Sequence, residues 1–237
     1  MSEKQSELKF AFQKAFPVMI GYLMLAMGYG LYMHNLGFSF WFPTIMAAVI
    51  YGGSVEFIVA SLLVARFAPW NVFLVTLVVG FRQFFYSLAM LNKYRNTSIF
   101  QRLILIFGES DETFSVNYAL EVPTNLKTKL VYTYVTIFNY LAWVMGAFLG
   151  GFSGHLLGIQ LRGLNFMMTA LFIVLFLEQF LKEQSHLSSF SGLIITTISL
   201  LVIGKTYFLL VTLSFLVVEY AIKYYLDQKR VFPHDID

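Results

Sequence analysis

Apolar residues fill this chain in long runs separated by short polar breaks, and each run predicts an element. The runs cover residues 16–33, 42–65, 71–91, 130–152, 166–181, 187–203 and 207–225. A helix needs about 20 mostly apolar residues to cross bilayer hydrocarbon, and only helices and closed barrels satisfy their own backbone there. The pattern therefore predicts an all-α, polytopic integral membrane protein with about six to seven spanning segments. The run at 166 is short and works where its neighbours thin the bilayer. Residues 92–129 differ in kind. Stretch 99–107 is apolar but too short to span, and Gly108-Glu109-Ser110-Asp111-Glu112 follows it directly. The expected organisation is a cytoplasmic N-terminal segment (1–15), one transmembrane domain (16–226) and a cytoplasmic tail (227–237).

One run is interrupted. Gly52-Gly53-Ser54-Val55-Glu56 puts two glycines and a carboxylate in the middle of 42–65. Adjacent glycines invite a helix to break, and the freed backbone groups then need a buried or wet site. A charge at mid-depth costs about 2.5 kcal/mol or more, so it faces a partner or a cavity.

Positive charge sets the orientation. Lys4, Lys9 and Lys14 place the N-terminus in the cytoplasm, and Lys223, Lys229 and Arg230 place the C-terminus there too. Lys93, Arg95, Arg102, Lys127 and Lys129 put both flanks of the central segment on that same side. The connections near Asn35 and at 154–163 carry almost no charge and read as external. Three full crossings before Lys93 would leave it outside. Either 42–65 is re-entrant or 99–120 crosses, and the first is expected because the breaking residues lie where a turn is needed. Downstream, the count closes with Lys205 at the outer interface.

Three polar clusters stand in apolar surroundings. At the first, half-helix ends would offer amides to a carboxylate and carbonyls to an ammonium group. Glu56 is then a cation partner or proton carrier; the plainer reading is a protonated side chain bonded to a neighbouring helix. At the second, Arg82 and Tyr86 are four apart and share a helix face, with Gln83 beside them. Arg82 lies too deep to snorkel and needs a carboxylate, with Glu56 and Asp111 as candidates. A purely structural ion pair is the alternative. At the third, Ser110 or Asp111 caps a helix, or Asp111 stands at a gate paired with Arg82 or Arg102. Gly52, Gly53, Ser54, Glu56, Arg82 and Tyr86 are thus the expected substrate or coupling set. Gln83, Asp111, Glu112, Asn139 and Asn165 are expected as gate or structural polar residues. Asn117, Asn139 and Asn165 also read as interhelical hydrogen bonds.

Composition narrows the choice further. Hydrophobic residues are 58% of the 237 and charged residues 12%, with mean hydropathy +0.71. Soluble domains carry about 25% charged residues, so this surface belongs in lipid. The net charge of +3 is spread over short connections, unlike a nucleic-acid patch. With no cysteine there is no disulfide, thiolate metal site or cysteine nucleophile. No Walker A loop, histidine pair at metal spacing or nucleophile elbow is present. No cofactor is expected, and the chain does not read as an enzyme. The first apolar run lacks a small-residue cleavage site and reads as a span, not a signal peptide. No internal repeat stands out. Pro17, Gly21, Gly28 and Gly30 are either echoed by Gly146, Gly150, Gly151 and Gly154, or all are small residues for close helix packing.

The order Pro17…Gly21, Tyr51-Gly52-Gly53-Ser54-Val55-Glu56-Phe57, Arg82-Gln83-Phe84-Phe85-Tyr86-Ser87-Leu88 and Ser110-Asp111-Glu112-Thr113-Phe114 resembles the AzlC/YgaZ family. Gly163-Leu164-Asn165-Phe166 is similar to a later Gly-Leu-Asp-Phe element of that family. The resemblance spans about 16–226. It implies a bacterial cytoplasmic-membrane exporter of small hydrophobic, branched-chain-type amino acids, for which proton-coupled alternating access is the expected mode. It also implies a much smaller membrane subunit of the AzlD type as partner. Three positions depart from the family pattern. Glu56 stands for the usual Gln, Gly80-Phe81-Arg82-Gln83 for an Asn-Leu-Arg-His-like element, and Asn165 for Asp. An added acid and a lost histidine bear on substrate charge and coupling. A channel or carrier for another small solute or ion meets the same polar requirements and stays open as the alternative.

Overall fold

The computed structural model describes residues 3–64, 69–95, 97–157 and 186–204, with scattered positions between 166 and 181 and between 211 and 222. Asn165, Lys205, Lys223, Lys229 and Arg230 lie outside the described residues, as does the tail 227–237. The described residues are all helical or connecting, with no strand. The chain forms two compact units, Met1–Leu171 and Phe172–Asp237.

Three long helices frame the first unit: α1 (Glu3–Asn35), α4 (Pro69–Tyr94) and α7 (Thr128–Leu157). Each holds a stretch long and apolar enough to cross a membrane. Four short helices pack among them: α2 (Trp41–Val49), α3 (Ser54–Leu63), α5 (Ile99–Phe107) and α6 (Asp111–Ala119).

Helices α1 and α7 run parallel. Near their starts, Glu7 accepts a hydrogen bond from the Lys127 backbone N–H at 2.9 Å, and Ala11 and Ala15 pack with Val131 and Val135. Near their ends, Gly154 meets His34. Gly146, Gly150 and Gly154 recur every fourth residue, so they form one stripe of α7 facing α1. A Cβ on Gly146 would fall 2.7 Å from the Leu23 carbonyl oxygen, and one on Gly150 would overlap the Met27 backbone. These glycines are a packing seam, the plainer of the two sequence readings.

With the start of α1 as the lower end, the run 42–65 enters from above and turns back. Phe40, just before α2, packs on Phe148, Phe152 and His155 in the upper part of α7. By Ala48 the chain has descended to Tyr140, whose hydroxyl donates to the Ala48 carbonyl at 2.9 Å. The turn follows, with φ of 45° at Tyr51 and 36° at Gly53. A non-glycine residue in that region costs about 1–2 kcal/mol, and the Tyr51 ring is held there against Tyr140 and Phe107. From the turn α3 climbs, bringing Phe57 against Tyr29 and Tyr32 of α1. The run is two helices of nine and ten residues, as the re-entrant reading expected.

Helix α4 descends, antiparallel to α1, until Met90 and Tyr94 pack with Tyr132 near the start of α7. A second hairpin then rises from below. Ser98 opens α5 with a capping box to Gln101. Phe107 reaches the level of Tyr140, where its ring lies 6.1 Å away. After Gly108-Glu109-Ser110, α6 descends until the Asn117 and Tyr118 carbonyls accept from Lys93 Nζ.

A repeat thus exists, but not between α1 and α7. A long helix followed by a folded-back pair occurs twice, α1–α2–α3 and α4–α5–α6, with opposite direction. Both tips carry the pattern Gly-x-Ser-x-Glu, in Gly52-Gly53-Ser54-Val55-Glu56 and in Gly108-Glu109-Ser110-Asp111-Glu112. Inverted repeats of this kind place solute sites at their meeting point.

In the second unit, α8 (Leu187–Ile203) ends at Gly204 with φ of 79°. Phe180 stacks on His186 at 4.0 Å just before it.

Candidate functional site

The hairpin tips meet beside the middles of α1, α4 and α7. Tyr51, Phe107 and Tyr140 form an aromatic triangle there, with centroid separations of 5.0–6.4 Å. Because each hairpin turns at its tip, α3 and α6 both begin there. Two positive helix ends therefore converge. Ser110 caps α6, its Oγ accepting from the Thr113 backbone N–H at 3.2 Å. Gly53 occupies the equivalent position before α3 and makes no side-chain cap.

Arg82 joins the two tips. Its Nη2 donates to Ser54 Oγ at 3.0 Å and pairs with Asp111 Oδ2 at 3.0 Å. Of the candidate partners for Arg82, the structure pairs it with Asp111. Arg102 donates instead to the Arg95 carbonyl at 2.6 Å. In its pair with Asp111, Arg82 keeps 37% of its side chain accessible, so a ligand can reach it. Tyr86, one turn on, faces Asp111 and stacks on Phe114 at 4.6 Å. Gln83 is half-buried and makes none of these hydrogen bonds.

Glu56 is fully buried, yet it does not meet Arg82. Its Oε1 accepts from the Gly52 backbone N–H at 3.0 Å and from Trp143 Nε1 at 3.0 Å, and its Oε2 from Trp143 at 3.2 Å. It reaches back over the first turn of its own helix and ties the tip to α7. On the other hairpin, Tyr22 donates to Glu112 Oε2 at 2.6 Å while its oxygen lies 2.5 Å from Ser110 Oγ. Asn139 donates to Thr113 Oγ1 at 3.1 Å, and Asn117 to Thr136 Oγ1 at 3.3 Å, linking α6 to α7.

Tyr22 and Trp143, which hold the tips, carry no weight in the sequence reading, and neither does Glu109, which stands outside the Arg82–Ser54–Asp111 contacts. Glu109 is 1% exposed and accepts from the Tyr94 hydroxyl at 3.0 Å. As one of four polar residues in a row, Glu109-Ser110-Asp111-Glu112, it carried no signal of its own. No signal marked Tyr22 or Trp143 among so many aromatic residues.

Chemically, the arrangement offers a cation and two helix N-termini to an anion, an acidic partner to an ammonium, and aromatic faces to an apolar tail. Among the described residues no group of three His, Asp or Glu side chains is placed to hold a metal ion.

Comparison with known proteins gives a family and several relatives. The family described as AzlC protein matches residues 17–157, the stretch holding both hairpins, α4, α7 and the second half of α1. The chain is 44% identical over 211 residues to a branched-chain amino acid transport protein, AzlC, of Bacillus subtilis, covering 87% of this chain and 83% of the other. It is 45% identical over 205 residues to an uncharacterized membrane protein of Haemophilus influenzae, covering 86% and 84%. Over 183 residues it is 29% identical to the inner membrane protein YgaZ of Escherichia coli, covering 71% of each. No solved structure matches.

Proposed function

This chain belongs to the AzlC family and is a multi-pass membrane transport protein; on that footing we propose that it exports small hydrophobic, branched-chain-type amino acids from the bacterial cytoplasm. The observation that carries the proposal is Arg82 bridging Ser54 and Asp111 where the tips of two opposed hairpins meet. An amino-acid carboxylate competes with Asp111 for Arg82 and for the α3 and α6 N-termini at Ser54 and Ser110. Asp111, once released, meets the ammonium group. Tyr51, Phe107 and Tyr140 face the aliphatic tail, and Gly52 and Gly53 let the backbone approach. Tyr86 holds Asp111 in place, and Glu56 shapes the turn through Gly52 and Trp143.

In alternating access the hairpins and α4 move against the α1–α7 pair, coupled to a cation gradient, that of protons being the one the family resemblance leads us to expect. The start of α1 and the C-terminus face the cytoplasm, as the lysines of the N-terminal segment and tail suggest. A small AzlD-type membrane subunit completes the transporter.

Uptake of labelled leucine, valine and methionine into inverted membrane vesicles tests this, with and without the small-subunit gene. Saturable uptake stimulated by trans substrate and lost in Arg82→Gln is the expected result. Absence of uptake of all three, with the partner present, overturns the substrate assignment.

A further inference from the structure

Buried carboxylates need either donors or a cation, and the two hairpins differ on this point. Glu56 has a donor on each oxygen. Glu109 has one donor in all, the Tyr94 hydroxyl on Oε2, while its Oε1 is buried with no partner. Asn117, fully buried, donates through Nδ2 to the same Tyr94 hydroxyl at 3.3 Å, and its Oδ1 is also buried without a partner. Two side chains that share one hydroxyl therefore each leave an acceptor oxygen orphaned, and neither oxygen carries a proton to donate unless Glu109 takes one up.

Nothing charged relieves the site. From α4 it is faced by Tyr94, from α7 by Tyr132 and Thr136, and from α6 by Asn117. Lys93 is spent on the Asn117 and Tyr118 carbonyls, and no described Lys, Arg or His makes an ion pair with Glu109. A lone carboxylate in such a place is too costly to stay ionised and unpaired.

We propose that Glu109, Tyr94 and Asn117 form the site of the coupling cation, a proton or Na⁺, and that Glu109 rather than Glu56 carries it. This rests on the transporter reading above and deepens it. Glu109 is next in sequence to Ser110, which caps α6 at the substrate end, so occupancy of the cation site bears directly on the tip that Arg82 holds. Cation and substrate then share one moving element without sharing a pocket.

The test uses the purified protein, with its small subunit if co-purified, in proteoliposomes. Two readouts are compared for wild type and Glu109→Gln: labelled-leucine counterflow, which needs no ion gradient, and accumulation driven by an imposed pH gradient or Na⁺ gradient. Counterflow within about twofold of wild type, with driven accumulation down about tenfold or more, is expected for Glu109→Gln. Which gradient drives wild-type accumulation identifies the cation as proton or Na⁺. Retained driven accumulation overturns the proposal, as does loss of both activities in protein that is monodisperse and melts like wild type.

If Glu109→Gln does not fold, Tyr94→Phe is the second variant. It removes one hydroxyl and is expected to shift the pH or Na⁺ dependence of accumulation, and an unchanged dependence overturns the proposal. If wild type shows no counterflow, the substrate assignment fails and a substrate-free readout decides. The infrared carbonyl band of a protonated carboxyl group, or a Na⁺-induced change in carboxylate bands, should be present in wild type and absent in Glu109→Gln. Spectra identical in the two proteins overturn the proposal.

Discussion

At the α2–α3 tip, the Glu56 carboxylate has donors on both oxygens. At the α5–α6 tip, Glu109 Oε1 and Asp111 Oδ1 are both buried without a partner. Yet both tips follow Gly-x-Ser-x-Glu, turn at the same depth beside Tyr140, and begin a helix at the turn. The first tip uses its acid as a brace, and the second holds acids in reserve. Related backbones can thus split the work of an inverted pair, one half giving shape and the other exchangeable charge.

Arg82→Gln should break the comparison most severely, because it removes the cation that bonds to Ser54 on one tip and to Asp111 on the other. Loss of transport by more than about a hundredfold, with Asp111 left uncompensated, is expected in vesicle uptake. Asp111→Asn should cost less, about tenfold, since Arg82 retains Ser54; a loss equal to that of Arg82→Gln would show that the two act only as a pair. Third comes a matched pair of serines. Ser110→Ala removes a cap and should lower stability by about 1 kcal/mol in a detergent melt, whereas Ser54→Ala, which caps nothing, should stay within about 0.5 kcal/mol. Equal losses would mean that the tips are not differently built. Glu56→Gln should be mildest. An amide oxygen can keep both bonds now made to Oε1, so transport should remain within about threefold of wild type.

Much of this was legible before any coordinates. Gly52-Gly53 marked the turn because the pair stands beside a carboxylate in the middle of its run, whereas Gly150-Gly151, with no charge beside it, serves close packing inside α7. Basic residues on both flanks of the central segment required an even number of crossings before it, and folding back 42–65 supplies that number. A helix cap at Ser110 or Asp111 was also legible, and Ser110 is the one that caps. The fold-back of 99–119 was less visible, since a short apolar stretch followed by acids reads equally as a surface loop.

The repeat was hidden because its two copies answered to different rules, one a helix break and the other a helix cap. Pairings across the unit left no trace in local pattern. Trp143 reaches Glu56 from a helix whose start is more than one hairpin further along the chain. Glu109 looked like one of several acids in a polar turn, and only its burial beneath Tyr94 sets it apart.

The parallel union of α1 and α7 has a consequence for how the protein is made. Parallel helices cannot be neighbours joined by a short loop, so α1 must wait in the membrane while both hairpins and α4 are synthesised. Until Trp143 emerges, Glu56 lacks the donor that covers it, and the glycine seam of α7 has not yet met Met27. Of the three long helices, the last to leave the ribosome is therefore the one that locks the first. A chain stopped before Trp143 would present an uncovered carboxylate and a bare α1 face, both of which a membrane quality-control protease can recognise.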